Sequence, residues 1–343
     1  MSPLRGLRSH KHSCLRRAIS ASCALAILSV SGGVRAGAQT NPAATPAEPY
    51  LVAYLSAYQG VRFSSYVISI DFTGMTHLNL AFGNPPKCDG VCTARSNMEF
   101  SIKGESDDDI AAVVTAAHHA GVKVLLSIGG GGGDQLILQF YNAGLSGPLV
   151  ASLAQYVSEH HLDGVDVDIE DPSNMGAPFA TFVSAVTQAM RPHGLLVTAA
   201  VAKYLQDSMP DAALHQFDFI NIMNYSSYAN AVAALQFYAA QKKIPKQQLV
   251  LGLPFFGSAP DDSKEEDYKT LLDAYPNAWR VDMAGGGALD NGQAFSFVGE
   301  DTMAQETLLG KQYGGVMIWQ LMGDAPPPHS LLKVIQKNLA GAR

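Results

Sequence analysis

The run His161-Leu162-Asp163-Gly164-Val165-Asp166-Val167-Asp168-Ile169-Glu170 constrains this chain more than any other stretch. Read as a strand over 164 to 170, its two-residue period puts Asp166, Asp168 and Glu170 on one face and Val165, Val167 and Ile169 on the other. Three carboxylates in a row on a buried strand cannot all ionise cheaply. At least one should hold a raised pKa and be a proton donor near neutrality. A solvated edge strand is the plain alternative. Against it, the apolar face is β-branched throughout, a helix-like run precedes it, and Pro172 closes the segment, which together favour an interior parallel strand.

The surrounding chain supplies the matching pattern. Strands are predicted over Leu51 to Ser56, His77 to Phe82, Val122 to Ile128, Gly164 to Glu170, Leu195 to Val201, Phe219 to Tyr225, Leu249 to Pro254 and Val316 to Trp319. Helices are predicted over Asp107 to Ala120, Pro148 to His160, Ala177 to Met190, Ala231 to Lys243, Thr302 to Tyr313 and Ser330 to Leu339. The first opens on three acids and closes before Gly121, the charge and cap asymmetry of a helix. Strands that read as apolar runs and alternate with helices imply an α/β TIM (β/α)8 barrel, whose chemistry sits at the C-terminal strand ends. Glu170 ends its strand, as that rule requires. A doubly wound nucleotide-binding sheet is the competitor, because Gly129 to Gly133 follows a strand. That run lacks the dinucleotide spacing, a ribose-binding acid and the lysine of a phosphate loop, so no cofactor is expected.

Before the barrel, Arg5, Arg8, Lys11, Arg16 and Arg17 precede an apolar run from Ala18 to Val30, and Ala36-Gly37-Ala38 supplies small residues for cleavage. This reads as a signal peptide over 1–38, cleaved near Ala38, and not as a membrane anchor. A flexible leader over 39–48 and a catalytic barrel over 49–343 would follow, in a secreted or periplasmic monomer. In that compartment Cys88 and Cys92 are expected to form a disulfide, with free thiols the alternative, and no further ligands nearby suggest a metal. With 47% hydrophobic and 15% charged residues the chain can bury one large core. A formal charge of −7 argues against nucleic acid as a partner.

Asp163-x-x-Asp166-x-Asp168-x-Glu170 resembles the DxxDxDxE signature of the family-18 glycoside hydrolases, the chitinase family. Ser127-Ile128-Gly129-Gly130 is similar to that family's SxGG, where small residues let the acidic strand pack closely. Met223-Asn224-Tyr225 resembles its M-x-Y, Leu251 to Gly257 its GLPFYG, and Gly314 to Trp319 its GGxMxW. The resemblance implies a retaining, substrate-assisted hydrolase of β-1,4-linked N-acetylglucosamine polymers, in which the substrate's own acetamido oxygen attacks the anomeric carbon. It assigns Glu170 as acid and then base, Asp168 as the partner of the acetamido N–H, and Asp166 as a deeper carboxylate sharing a proton or hydrogen bond with Asp168. Tyr225 would reach the acetyl carbonyl, Met223 would share its pocket, and Trp319 would floor a sugar ring. Tyr54 and Phe82 are further lining candidates, and Trp279 a candidate for an outer subsite. Asp163, on the opposite parity, is read as structural.

Two departures from the family pattern matter. Ser226 stands where many chitinases carry an acid after the tyrosine. The segment from Phe256 to Val298, about forty residues, is too short for a full α+β insertion domain, which implies a shallow groove and endo-type cutting. Its acids Asp261, Asp262, Glu265, Glu266 and Asp267 read as a solvated loop or helix start. Alternatives within reach of the same motif are an endo-β-N-acetylglucosaminidase of N-glycan cores, a peptidoglycan-directed enzyme and a non-catalytic chitin-binding lectin.

Overall fold

The computed structural model describes residues 48–170, 175–176, 178–202, 208–260, 264–285 and 294–340. The expected signal peptide over 1–38, all but the last residue of the expected leader, Pro172, Asp261 and Asp262 lie outside these residues. Eight parallel strands form the centre: β1 (Tyr50–Ser56), β2 (His77–Asn84), β3 (Lys123–Gly129), β4 (Gly164–Asp168), β5 (Leu196–Ala202), β6 (Ile220–Met223), β7 (Leu249–Pro254) and β8 (Gly315–Trp319). Each pairs with its sequence neighbours, and β1 pairs both with β8 (Leu51 opposite Val316) and with β2 (Val52 opposite His77). That double pairing closes the eight strands into a barrel, and a two-residue strand, Ser101–Ile102, adds antiparallel to the end of β2.

Alternation along the strands divides the apolar residues into two cores. Val52, Tyr54, Ala200, Phe219, Val250 and Met317 fill the barrel's interior. Leu51, Leu78, Val165, Val167 and Leu251 face outward, against helix residues such as Phe182 and Ile335. All of these are 0–1% exposed, and each buried Leu or Phe side chain contributes roughly 1.5–3 kcal/mol to folding. The principal helices of the outer layer are α1 (Asp107–His119), α2 (Asp134–Asn142), α3 (Ser146–Glu159), α4 (Pro178–Met190), α5 (Tyr228–Ala240), α6 (Glu300–Gly310) and α7 (Leu331–Ala340). The start of α1 is fixed by a capping box: the Ser106 hydroxyl accepts the Asp109 N–H while the Asp109 carboxylate accepts the Ser106 N–H.

Three features differ from the sequence reading. The acidic strand ends at Asp168, where its ladder with Gly129 stops, so Glu170 sits in a bend just beyond the rim. Helix α2 follows the glycine run 130–133, a segment whose composition hides it. After β7 the chain builds a small antiparallel sheet in the order Glu265–Asp267, Phe256–Ser258, Ala294–Ser296, Met283–Gly285, with a helix over Tyr268–Ala274. Glu265, Glu266 and Asp267 therefore belong to a strand, paired with Ser258, Gly257 and Phe256. Propensity disfavours acids in strands, but three residues against an existing partner strand override it. Cys88 and Cys92 are joined by a disulfide that closes a local loop.

Candidate active site

The register of three adjacent strands builds the floor of the site. Ser127 on β3 lies beside Asp166 on β4, and Asp166 beside Thr198 on β5. All three side chains point inward and are completely buried. One carboxylate oxygen of Asp166 accepts the hydroxyls of Tyr54 at 2.6 Å and Ser127 at 2.8 Å; the other accepts the Thr198 hydroxyl at 2.6 Å and the Asn221 amide at 3.3 Å. Burial pushes the pKa of Asp166 up while these four donors pull it down. A carboxylate so surrounded is held in place. Asp166 also lies close enough to Asp168 for its charge to raise the Asp168 pKa.

Asp168, one step up the same face, is 2% exposed, and its Oδ1 has no hydrogen-bond partner among the described residues. Burial, then Glu170, then Asp166 drive its pKa well above the ordinary carboxylate value. An unpaired buried acceptor is costly, so an arriving N–H or a proton at this oxygen is strongly favoured. Glu170 is half-buried at the rim, and its pKa is raised by burial first and by Asp134 and Glu265 after that. It therefore keeps its proton to higher pH than a free glutamate, the property a general acid needs.

Two glycines allow the close approach of β3 to this strand. Gly129 has φ of 101°, and a Cβ there would fall 2.2 Å from the Asp168 carbonyl oxygen. Gly130, at φ of 73°, donates its N–H to that same oxygen at 2.8 Å, and a Cβ on it would meet the Phe82 ring at 2.4 Å. Gly129→Ala is expected to lower stability by about 2 kcal/mol or more, with loss of activity through a displaced Asp168. Thermal unfolding read together with an activity assay checks this. An alanine variant as stable and active as wild type would show that the approach does not matter.

Above the acids opens a cavity of about 780 Å³ lined by Asp168, Glu170, Met223, Asn224, Tyr225 and Glu265, with aromatic walls. Trp319 and Phe82 stack with centroids 5.4 Å apart at 22°, Tyr58 lies 6.4 Å from Trp319, and Tyr225 meets Phe256 edge-on at 5.4 Å. Flat apolar walls around converging polar groups suit a sugar ring, which presents C–H faces and equatorial hydroxyls. The Tyr225 hydroxyl sits 4.0 Å from the Met317 sulfur, and its pKa is raised well above the usual value by burial, then by Asp168, Glu170, Glu265 and Asp166. It stays a neutral hydrogen-bond donor.

Other residues singled out from sequence lie elsewhere. Tyr54 does not line the cavity; it is 1% exposed, supports Asp166 from beneath and packs against Trp319. Asp163 lies at the base of the barrel, where its Oδ2 accepts the Val124 N–H at 2.7 Å and lies 2.8 Å from His118 Nε2. Trp279 is absent from the residues that line the main cavity; it stacks on His329 at 4.7 Å and lies 4.3 Å from the Arg280 guanidinium. Sequence reasoning missed Tyr58, Asn224, Phe256, Ser258 and Glu265 as lining residues. Phe256 and Asn224 stood inside quoted motifs, so adjacency was available as a signal. For Glu265 there was none, since the new strand that turns it toward the cavity has no periodicity to read.

The family model described as Glycosyl hydrolases family 18 matches residues 50–324. Among solved structures, the chain is similar to the GH18 chitinase ChiB from the chitin utilization locus of Flavobacterium johnsoniae, at TM-score 0.71 and 26% identity, covering 85% of this chain and 94% of that one. A chitinase from Bacteroides thetaiotaomicron gives TM-score 0.70 and 25% identity, with 85% and 96% covered. A chitinase-like agglutinin from Robinia pseudoacacia shares the fold at TM-score 0.65 and 19% identity, with 84% and 99% covered. Comparison with curated protein sequences gives no match. A match over residues 50–324, coinciding with the barrel that carries the acidic ladder, identifies this chain as a member of the glycosyl hydrolases family 18.

Proposed function

We propose that this protein is a retaining glycosidase that cuts β-1,4-linked N-acetylglucosamine chains internally, with the substrate's acetamido group as nucleophile. The observation that carries this is the stacking of Asp168 and Glu170 in one aromatic-walled cavity: a buried acceptor without a partner beneath a carboxyl whose proton is held by its surroundings. Glu170 gives its proton to the glycosidic oxygen as that bond breaks. The acetamido oxygen closes on the anomeric carbon, Asp168 Oδ1 accepts the acetamido N–H, and the Tyr225 hydroxyl donates to the developing ring. Glu170, now ionised, then takes a proton from the water that reopens the ring on the face the leaving group had occupied. Two displacements at one carbon retain its configuration.

Internal cutting is supported by the groove's shape. A second depression of about 750 Å³ shares Tyr58, Phe82 and Gly131 with the main cavity, so the cleft continues past the aromatic wall.

Incubation with chitin oligosaccharides and, separately, with a high-mannose glycopeptide, followed by mass and anomer analysis, tests the reading. Chitin oligomers are expected to give shorter oligomers of intermediate length in the β configuration before mutarotation. Cleavage of the glycopeptide alone would replace the reading with an N-glycan-core enzyme; binding without cleavage would replace it with a lectin, in the manner of the chitinase-like agglutinin from Robinia pseudoacacia.

A further inference from the structure

Asn224 follows the last residue of β6 and lines the cavity with Asp168, Met223 and Tyr225, yet the chemistry proposed above gives it no part. It is 1% exposed, and its Nδ2 has no hydrogen-bond partner among the described residues. A buried N–H without an acceptor is costly, and a side-chain amide can turn about its last bond to escape that cost. Something must hold this one where it is.

Two neighbours do so. The Ser226 hydroxyl donates to Asn224 Oδ1 at 3.3 Å, and the Asn230 side-chain amide donates to Ser226 Oγ at 3.2 Å. Asn230 is itself fixed as the third residue of α5, where its backbone N–H donates to the Ser227 hydroxyl that caps the helix. Because Ser226 Oγ accepts from Asn230, its own hydrogen goes on to Asn224, which commits the amide oxygen to the loop and leaves the amide nitrogen unpaired at the cavity wall. A carboxylate at position 226, the residue type many chitinases carry there, can only accept. It would draw the Asn224 N–H to itself and reverse the amide, so this serine and this asparagine are matched.

We propose that Asn224 is a substrate-binding residue whose Nδ2–H donates to an oxygen of the sugar unit lodged beside Tyr225, and that Ser226 and Asn230 are positioning residues that act through it. This rests on the hydrolase reading and names a contact that orients the sugar in that site. A sugar offers oxygens on every side, and a donor already held in place needs no reordering when one arrives. The stability given up by the unpaired N–H in the free protein is recovered in the complex.

Titration calorimetry with the N-acetylglucosamine tetramer reads the affinity, in a Glu170→Gln parent so that turnover does not intervene, and thermal unfolding reads the fold. Asn224→Leu, of nearly the same size, is expected to bind the tetramer about tenfold more weakly than its parent while unfolding at the same temperature or higher, because an unpaired buried donor has been removed. The Ser226 hydroxyl that loses its acceptor is exposed and turns to water. Ser226→Ala should weaken binding about threefold, and Ser226→Thr, which keeps the hydroxyl, should restore it. A purely structural Asn224 predicts the reverse for Asn224→Leu, a lower unfolding temperature with unchanged affinity. That result, a Ser226→Thr protein that binds no better than Ser226→Ala, or a parent that does not bind the tetramer, would overturn the assignment. Failure of the hydrolase reading would show separately, as wild type that leaves the tetramer uncut.

Discussion

Glu170→Gln is expected to lose about 10²–10⁴-fold in kcat on chitin oligosaccharides while KM and melting temperature stay close to wild type. The amide keeps the size and the hydrogen-bonding reach of the carboxyl but has no proton to transfer. Because Glu170 lies at the rim and not among the packed carboxylates, the change leaves no buried donor stranded and should not unfold the barrel. Electrostatics add a second signature. Burial and the neighbouring Asp134 and Glu265 raise the Glu170 pKa, so in wild type the acid form survives above the usual glutamate range and activity should decline only as pH passes that raised value. Steady-state kinetics across pH, with circular dichroism to confirm folding, check both parts. Undiminished hydrolysis by the variant would remove Glu170 from the chemistry and with it the mechanism proposed above.

How much of this could be read from the chain depends on which physical signal each residue carries. The barrel was legible because its strands are buried on both faces and so appear as apolar runs at regular intervals; six of the predicted helices were found with ends shifted by a few residues. The pairing of Asp168 with Glu170 in one cavity followed from a period of two, even though the strand itself stops at Asp168 and the last step is taken by a bend. Asp166 was placed on the right face, but the four donors that hold it were not foreseen as a set. Its partners, Tyr54, Ser127, Thr198 and Asn221, come from four other strands, and no local pattern encodes register across a barrel. Glu265 was hidden for a related reason: an acidic run looks solvated until a partner strand, set by Phe256–Ser258, turns one of its members inward. What stayed invisible was therefore long-range pairing, and it is long-range pairing that tunes this site.

The same blindness to tertiary context applies to Glu306, in the middle of α6, where composition suggests an ordinary solvent-facing glutamate. In the structure it is 0% exposed, and neither carboxylate oxygen has a partner among the described residues. Helix α6 packs against β7, β8, α5 and α7, so the side chain is enclosed between barrel and helices. Burial, with a smaller contribution from Asp282, pushes its pKa up to about 8 from a reference of 4.5. The sign follows from linkage. Below the reference value both native and unfolded chains hold the proton, and the group has no pH effect. Between there and about 8 the unfolded chain has released it and the native chain has not, so each step up in pH favours unfolding. Over that interval the native state should lose as much as ~5 kcal/mol, at about 1.4 kcal/mol per pH unit. Glu306→Met, an apolar side chain of similar length, should abolish this slope: slightly acid solutions should show little difference from wild type, and mildly alkaline ones a variant more stable by a few kcal/mol. Other raised carboxyls such as Asp324, at about 6, are common to both proteins and cancel in the difference. Urea unfolding of the two proteins in parallel from acid to alkaline pH measures that difference directly. If the gap between them is the same at every pH, Glu306 is not the buried titrating group that its enclosure implies.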